Sequence, residues 1–85
     1  MKKILWNSEK DLELKRTRGV LFEELLNSRF IGIEKHVTRS NQKLMLFEYK
    51  KYVWVVPYVE GDDHYFFKTA FPSRKYTTKY LRGAK

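Results

Sequence analysis

Tyr65-Phe66-Phe67-Lys68-Thr69-Ala70-Phe71, then Pro72-Ser73-Arg74-Lys75, then Tyr76-Thr77-Thr78-Lys79-Tyr80-Leu81, is the stretch on which the reading of the fold turns. Its first part is dense in aromatic residues and reads as a strand. Pro72 and Ser73 end that run. The Ser73 hydroxyl can accept a hydrogen bond from an amide of a following first turn, which makes it a natural N-cap. Tyr76 and Tyr80 stand four residues apart with Leu81 beside them, and this spacing predicts a short helix with one aromatic face. Arg74 and Lys75 then fall in its first turn, where the helix dipole is already positive and an exposed cation costs roughly 0.3–1 kcal/mol. A helix start carrying two extra cations suits an anion, phosphate first. A solvated basic turn would contain the same residues.

Upstream, Tyr52-Val53-Trp54-Val55-Val56 is the most β-prone run and is expected to be an interior strand. Pro57 follows it and lacks a ladder donor, so a bulge or a lost partner is expected there. Leu44 to Tyr49 reads as the preceding strand, joined to it by a tight polar link at Lys50 and Lys51. Phe30 to Val37 reads as another strand, with Gly32 marking a bulge or a close approach. Ser40-Asn41-Gln42 and Glu60-Gly61-Asp62-Asp63 read as turns. Four strands on short turns make an antiparallel meander. Ahead of them, Ile4-Leu5-Trp6 reads as an edge strand. A helix capped by Asn7 or Ser8 follows, and Ser8 with Asp11 resembles a capping box. That helix has few apolar residues, so it is expected on the surface, running towards Arg18 and ending at Gly19. Lys15, Arg16 and Arg18 in its last turn suit the negative end of the dipole. Phe22, Leu25 and Leu26 between Val20 and Asn27 predict a second short helix. The expected fold is α+β: a four- to five-stranded antiparallel sheet with two N-terminal helices and one short C-terminal helix, the helices on one face.

The 85 residues are expected to form a single domain, 1–85, with one modest core. The net charge of +8, from 18 Lys and Arg against 10 Asp and Glu, favours a polyanionic partner, nucleic acid first. No segment approaches the roughly 20 apolar residues of a membrane span, and the basic start lacks the apolar stretch of a signal peptide. The absence of cysteine excludes disulfides and thiolate metal sites and agrees with a reducing, cytoplasmic compartment. His36 and His64 are isolated from other ligands, so no metal and no cofactor is expected. There is no glycine-rich phosphate loop and no nucleophile elbow. Cations and tyrosines are what remain. Such groups can cleave RNA without a metal, given a base for the ribose 2′-hydroxyl, cations on the phosphate and an acid for the leaving oxygen. Aromatic side chains can hold an unstacked base.

Trp6-Asn7, Lys10, Gly19-Val20 and Phe22-Glu23-Glu24, followed late in the chain by Ser73-Arg74-Lys75, give the sequence a resemblance to the BrnT family, the small toxins of bacterial type II toxin–antitoxin pairs. The family reads Lys-His-Gly-Val-Ser-Phe-Glu-Glu-Ala where this chain has Thr17-Arg18-Gly19-Val20-Leu21-Phe22-Glu23-Glu24-Leu25. The resemblance implies a fold like the RelE-type ribonuclease toxins and metal-independent RNA cleavage. It also implies a partner antitoxin carrying a ribbon–helix–helix domain, through which operator DNA is bound. Arg74 and Lys75 take the place of the family's Arg-Lys pair. Arg18 replaces a histidine and so cannot serve as a base. The expected catalytic set is Arg18, Arg74 and Lys75 on the phosphate, with Tyr80, chosen from its helical spacing, or a lysine of lowered pKa moving protons. Lys15, Arg16 and Lys79 are expected as further RNA contacts. Two rival readings remain open at this point: a non-catalytic nucleic-acid-binding module, and a toxin-fold protein that pairs with an antitoxin but has lost the chemistry.

Overall fold

The computed structural model describes residues 2–36, 38 and 42–82. The elements in chain order are β1 (Lys3–Trp6), α1 (Ser8–Arg18), α2 (Phe22–Leu26), β2 (Arg29–Lys35), β3 (Gln42–Tyr49), β4 (Tyr52–Glu60), β5 (His64–Phe67), β6 (Phe71–Pro72) and α3 (Arg74–Leu81). The fold is α+β, and the order of strands and helices follows the sequence-based reading. Val37, the expected end of β2, and Ser40 and Asn41 of the expected turn lie outside the described residues.

The sheet has six strands in the order β1-β5-β4-β3-β2, with β6 also paired to β4. This corrects the expectation of four or five antiparallel strands in two ways. β1 runs parallel to β5, with Lys3 opposite His64 and Trp6 opposite Phe67. That pairing joins the start of the chain to its last third, which no local pattern encodes. β6 is only two residues long, too short to leave a periodic signal.

β4 is interior, as expected. β3 lies along one side, with Tyr49 opposite Tyr52 and Gln42 opposite Val59. On the other side β5 pairs with Tyr58 to Glu60 and β6 with Trp54 and Val55. Pro57 sits in the gap between those two ladders. Its carbonyl accepts from the Lys68 amide at 2.8 Å. In a strand, a residue's N–H and C=O point to the same side. The donor that proline lacks is therefore directed at the gap, and the ladder to β3 continues through it without a shift. On β2, Phe30 pairs with Phe47 and Gly32 with Leu46, so Ile31 is the extra residue of a bulge.

The helices lie on both faces of the sheet, which corrects the one-face arrangement. Met45, Phe47, Val56, Tyr58 and Phe67 pack with Leu14 of α1 and with Phe22 and Leu25 of α2. The alternate residues Leu44, Leu46, Val53 and Val55 pack instead with Tyr76 of α3. Successive strand side chains point to opposite faces, so α3 covers the face opposite α1 and α2.

α3 is fastened by a buried hydroxyl. The Ser73 side chain accepts from the Tyr76 amide at 3.1 Å as the expected N-cap. Thr77, 2% exposed, donates to the Ser73 carbonyl at 2.6 Å and accepts from the Val53 amide at 2.8 Å. Thr77→Val keeps the shape and orphans the buried Val53 N–H. It is expected to cost about 1–3 kcal/mol in urea unfolding, whereas the exposed Thr78→Val is expected to stay within about 0.5 kcal/mol.

Candidate functional site

The corner between α1 and α2 places Arg18. Asn7, rather than Ser8, caps α1, its side chain accepting from the amides of Glu9 and Lys10 at 2.8 and 3.1 Å. Asp11 does not complete a capping box with Ser8. Its carboxylate instead accepts from the Phe22 amide at 2.8 Å and so caps α2. Gly19 closes α1 at φ 75, a left-handed conformation that disfavours a Cβ, with its amide on the Lys15 carbonyl. Val20 is buried behind it. Glu24 accepts from the Leu21 amide at 2.9 Å and lies 3.5 Å from Lys15. The Leu21 amide, then Lys15 and Lys50, hold its carboxyl below the usual carboxylate range.

Arg18 opens into a cavity of about 260 Å³, whose wall includes Tyr49, Lys50, Tyr52, Trp54 and Pro72. A second cavity of about 390 Å³ is lined by Tyr52, Arg74, Thr77, Thr78 and Arg82. Tyr52 is common to both. Among the described residues Lys2, Lys10, Lys15, Arg29, Lys43 and Lys79 are ion-paired with carboxylates. Arg18, Lys50, Arg74 and Arg82, which line the two cavities, are in none of these pairs. Four cations outside these ion pairs thus stand around Tyr52, at the end of the β3–β4 hairpin; Lys3, Arg16, Lys35, Lys51, Lys68 and Lys75 are likewise in none of the pairs but line neither cavity.

The expected single phosphate site, with the end of α1 meeting the start of α3, is not formed: the two helices lie on opposite faces of the sheet. Arg18 and Arg74 occupy separate cavities, which among the described residues share Tyr52. Lys75 turns into a third, of about 250 Å³, with His36, Leu44, Val55, Phe71 and Tyr76. Lys15 is held by Glu24, and the exposed Arg16 lines none of the three cavities.

Tyr80 lines neither the Arg18 cavity nor the Arg74 cavity. Its phenol donates to Glu34 of β2, and Lys79 lies 3.0 Å from the same carboxylate oxygen. The bond to Glu34 raises the phenol's pKa, so the hydroxyl stays protonated: it is not a base, and it is a weaker acid than a free tyrosine. Glu34 in turn is held below the usual carboxylate range by Tyr80 first and Lys79 second. A carboxyl with a depressed folded pKa stabilises the fold above its unfolded value, near 4.3. That contribution is lost as pH falls through the folded value. The difference in melting temperature between wild type and Glu34→Gln is therefore expected to be widest near neutrality and to shrink as acid protonates the carboxyl. A difference that stays constant through the acid range means the cluster carries no pH-linked stability.

Sequence reasoning missed Lys50, Tyr52, Trp54 and Arg82 as lining residues and Glu34 as the partner of Tyr80. It set His36 aside, and the structure places it with Lys75. One available signal pointed to the hairpin end: two β-prone runs separated by exactly two residues read as a tight hairpin, which brings its flanking residues to one edge.

Among the described residues no helix is long and apolar enough to cross a membrane. No family model matches the chain, and no curated protein matches it. Among solved structures it is similar to the crystal structure of the ribonuclease toxin BrnT of Brucella abortus, with a TM-score of 0.53 over 86% of this chain and 97% of that one, at 14% sequence identity. The chain has a BrnT-like fold.

Proposed function

We propose that this chain is the toxin of a type II toxin–antitoxin pair and that it cleaves RNA in the cytoplasm, inhibiting translation and growth. The observation that carries the reading is the gathering of Arg18, Lys50, Arg74 and Arg82 around Tyr52, none of them in an ion pair among the described residues. Uncompensated cations repel one another and are retained where an anion completes them. Beside aromatic rings, the anion they suit is the phosphate of a nucleic acid strand. The BrnT-like fold supports the reading, since the similar structure is that of a ribonuclease toxin.

In this reading Arg74 binds the phosphate that is cut and stabilises the charge that develops on it, while Arg18 holds a neighbouring phosphate of the strand from its own cavity. Lys75 adds a third cation from the neighbouring cavity, and Lys15, Arg16 and Lys79 contribute contacts along the strand. Tyr80, whose hydroxyl proton is held by Glu34, lines neither cavity and adds a contact to the strand beside Lys79. The antitoxin, a ribbon–helix–helix protein, covers the basic end and links the pair to operator DNA.

One observation favours a second reading, a module that binds RNA without cutting it. Among the described residues, the two cavities that meet at Tyr52 are lined by cations, tyrosines, a tryptophan and threonines, with no histidine or carboxylate to act as base. Tightly controlled expression separates the two. Growth arrest with cut RNA is expected for the toxin; normal growth together with RNA retained on the purified chain overturns cleavage in favour of binding.

A further inference from the structure

The turn between β3 and β4 breaks the rule for its own geometry. Lys50 and Lys51 both take left-handed backbone conformations, φ 54 and φ 67. A two-residue hairpin turn with both residues left-handed is the type that strongly prefers Asn-Gly or Asp-Gly. A side chain with a Cβ is strained there, and here two like charges are also set side by side. Strain kept at a surface turn points to a use for the residues that bear it. Among the described residues neither ammonium is in an ion pair with a carboxylate. Lys50 sits 5.3 Å from the centre of the Tyr49 ring and forms part of the wall of the Arg18 cavity. Tyr49 and Trp54 meet edge to face at 6.4 Å in the same wall. Tyr52 then leads to Arg74 and Arg82 on the other side.

We infer that this hairpin end is a subsite for one unpaired nucleotide of a single-stranded RNA. The base enters the Arg18 cavity against Tyr49, Tyr52 and Trp54, and the flanking phosphates meet Arg18 with Lys50 and Lys51. A cavity of about 260 Å³ is at the small end of ligand pockets, so it takes a base splayed out of the strand and not a duplex. Bases without sequence preference are held by aromatic faces, and the backbone by a basic groove. The inference rests on the proposal that RNA is the ligand, but not on cleavage.

The test measures binding of a fluorescent 2′-O-methyl oligoribonucleotide to the full chain by anisotropy over a range of salt. The 2′-O-methyl group removes the hydroxyl that would attack the phosphate, so cleavage cannot confuse the reading. K50N/K51G restores the residues that the turn prefers. It is expected to raise the melting temperature by several degrees while weakening binding at least tenfold. It is also expected to lower the logarithmic salt slope by about 1.4, some 0.7 for each phosphate no longer neutralised. K50Q/K51Q keeps the strain and removes the charge, and is expected to lose binding equally with no gain in stability. Tyr52→Ala is expected to weaken single-strand binding about tenfold with the salt slope unchanged. A duplex of the same sequence is expected to bind more weakly and to be indifferent to Tyr52→Ala. If wild type binds the single strand and all three variants bind equally well, the subsite is overturned while the RNA reading stands. A lower melting temperature for K50N/K51G overturns the strain on which the inference rests. If wild type binds neither form, the proposed function fails and the subsite with it.

Discussion

Arg74→Ala is expected to cut RNA cleavage by 10²–10³-fold, a loss of roughly 3–4 kcal/mol in transition-state stabilisation, and to move the folding free energy by no more than about 0.5 kcal/mol. Both magnitudes follow from where the side chain sits. Arg74 is exposed in the first turn of α3, where its charge adds to the positive end of the dipole, and the cap of that helix is supplied by Ser73. Among the described residues it is in no ion pair, so its removal breaks no bridge. The same charge lines the Tyr52 cavity, where a phosphate would complete it. The measurements are melting temperature, antitoxin pull-down and cleavage of an RNA substrate for wild type, Arg74→Ala and Arg74→Lys. Lysine keeps the charge without the planar fork, and is expected to recover part of the rate. Near-wild-type cleavage by the alanine variant removes Arg74 from catalysis. A collapse of the melting temperature instead makes it a structural residue.

Local chemistry made several elements legible. Asn7 and Gly19 bracket α1, Ser73 starts α3, and Gly32 lies beside the bulge at Ile31, because caps and bulges depend on the few residues around them. The interior position of β4 followed from its β-branched and aromatic run. The side of the sheet taken by α3 differs from the expectation, although the pattern carried it. Leu44-Met45-Leu46-Phe47 is an unbroken apolar run and all four residues are buried. A strand with one wet face alternates, whereas one covered on both faces does not. The run therefore required a helix on each side, and placing all of them on one face left Leu44 and Leu46 with nothing to cover them.

The candidate site was legible as a set of residue types and not as an arrangement. Arg18, Arg74, Lys75 and Tyr80 follow from caps, spacing and resemblance, all of which act along the chain. Their grouping is decided across it. Tyr80 meets Glu34 through the pairing of α3 with the far edge of the sheet, and Arg18 approaches the hairpin end because α2 folds back under Asp11. Positions so far apart in sequence leave no periodic trace in a single chain. Lys50 and Lys51 differ, since their two-residue spacing between strands already fixed a turn in which lysine is out of place.

Phe22→Ala is expected to cost about 3–5 kcal/mol of stability, the range for emptying a buried aromatic site. Phe22 is fully buried, with its ring 5.3 Å from Trp6 of β1 and 5.6 Å from Phe67 of β5, and those two rings are themselves stacked at 6.2 Å. One side chain thus joins α2 to both strands of the parallel edge pair, within the core that Phe67, Ile4 and Tyr65 also enter. Against a total stability of about 5–15 kcal/mol for a domain, the loss is a large fraction, and at about 4–8 °C per kcal/mol it lowers the melting temperature by tens of degrees. Phe22→Leu keeps most of the volume and is expected to lose much less. The consequence for RNA binding differs from that of a site mutation. The bond from the Phe22 amide to Asp11 uses the backbone and survives either substitution, so Arg18 keeps its place in every molecule that remains folded. Affinity per folded molecule, measured at low temperature with the folded fraction taken from circular dichroism, is expected to stay within about twofold of wild type. A Phe22→Ala chain that melts less than about 4 °C below wild type contradicts the shared aromatic core; one that stays folded but loses RNA affinity makes Phe22 part of the binding surface, against its burial.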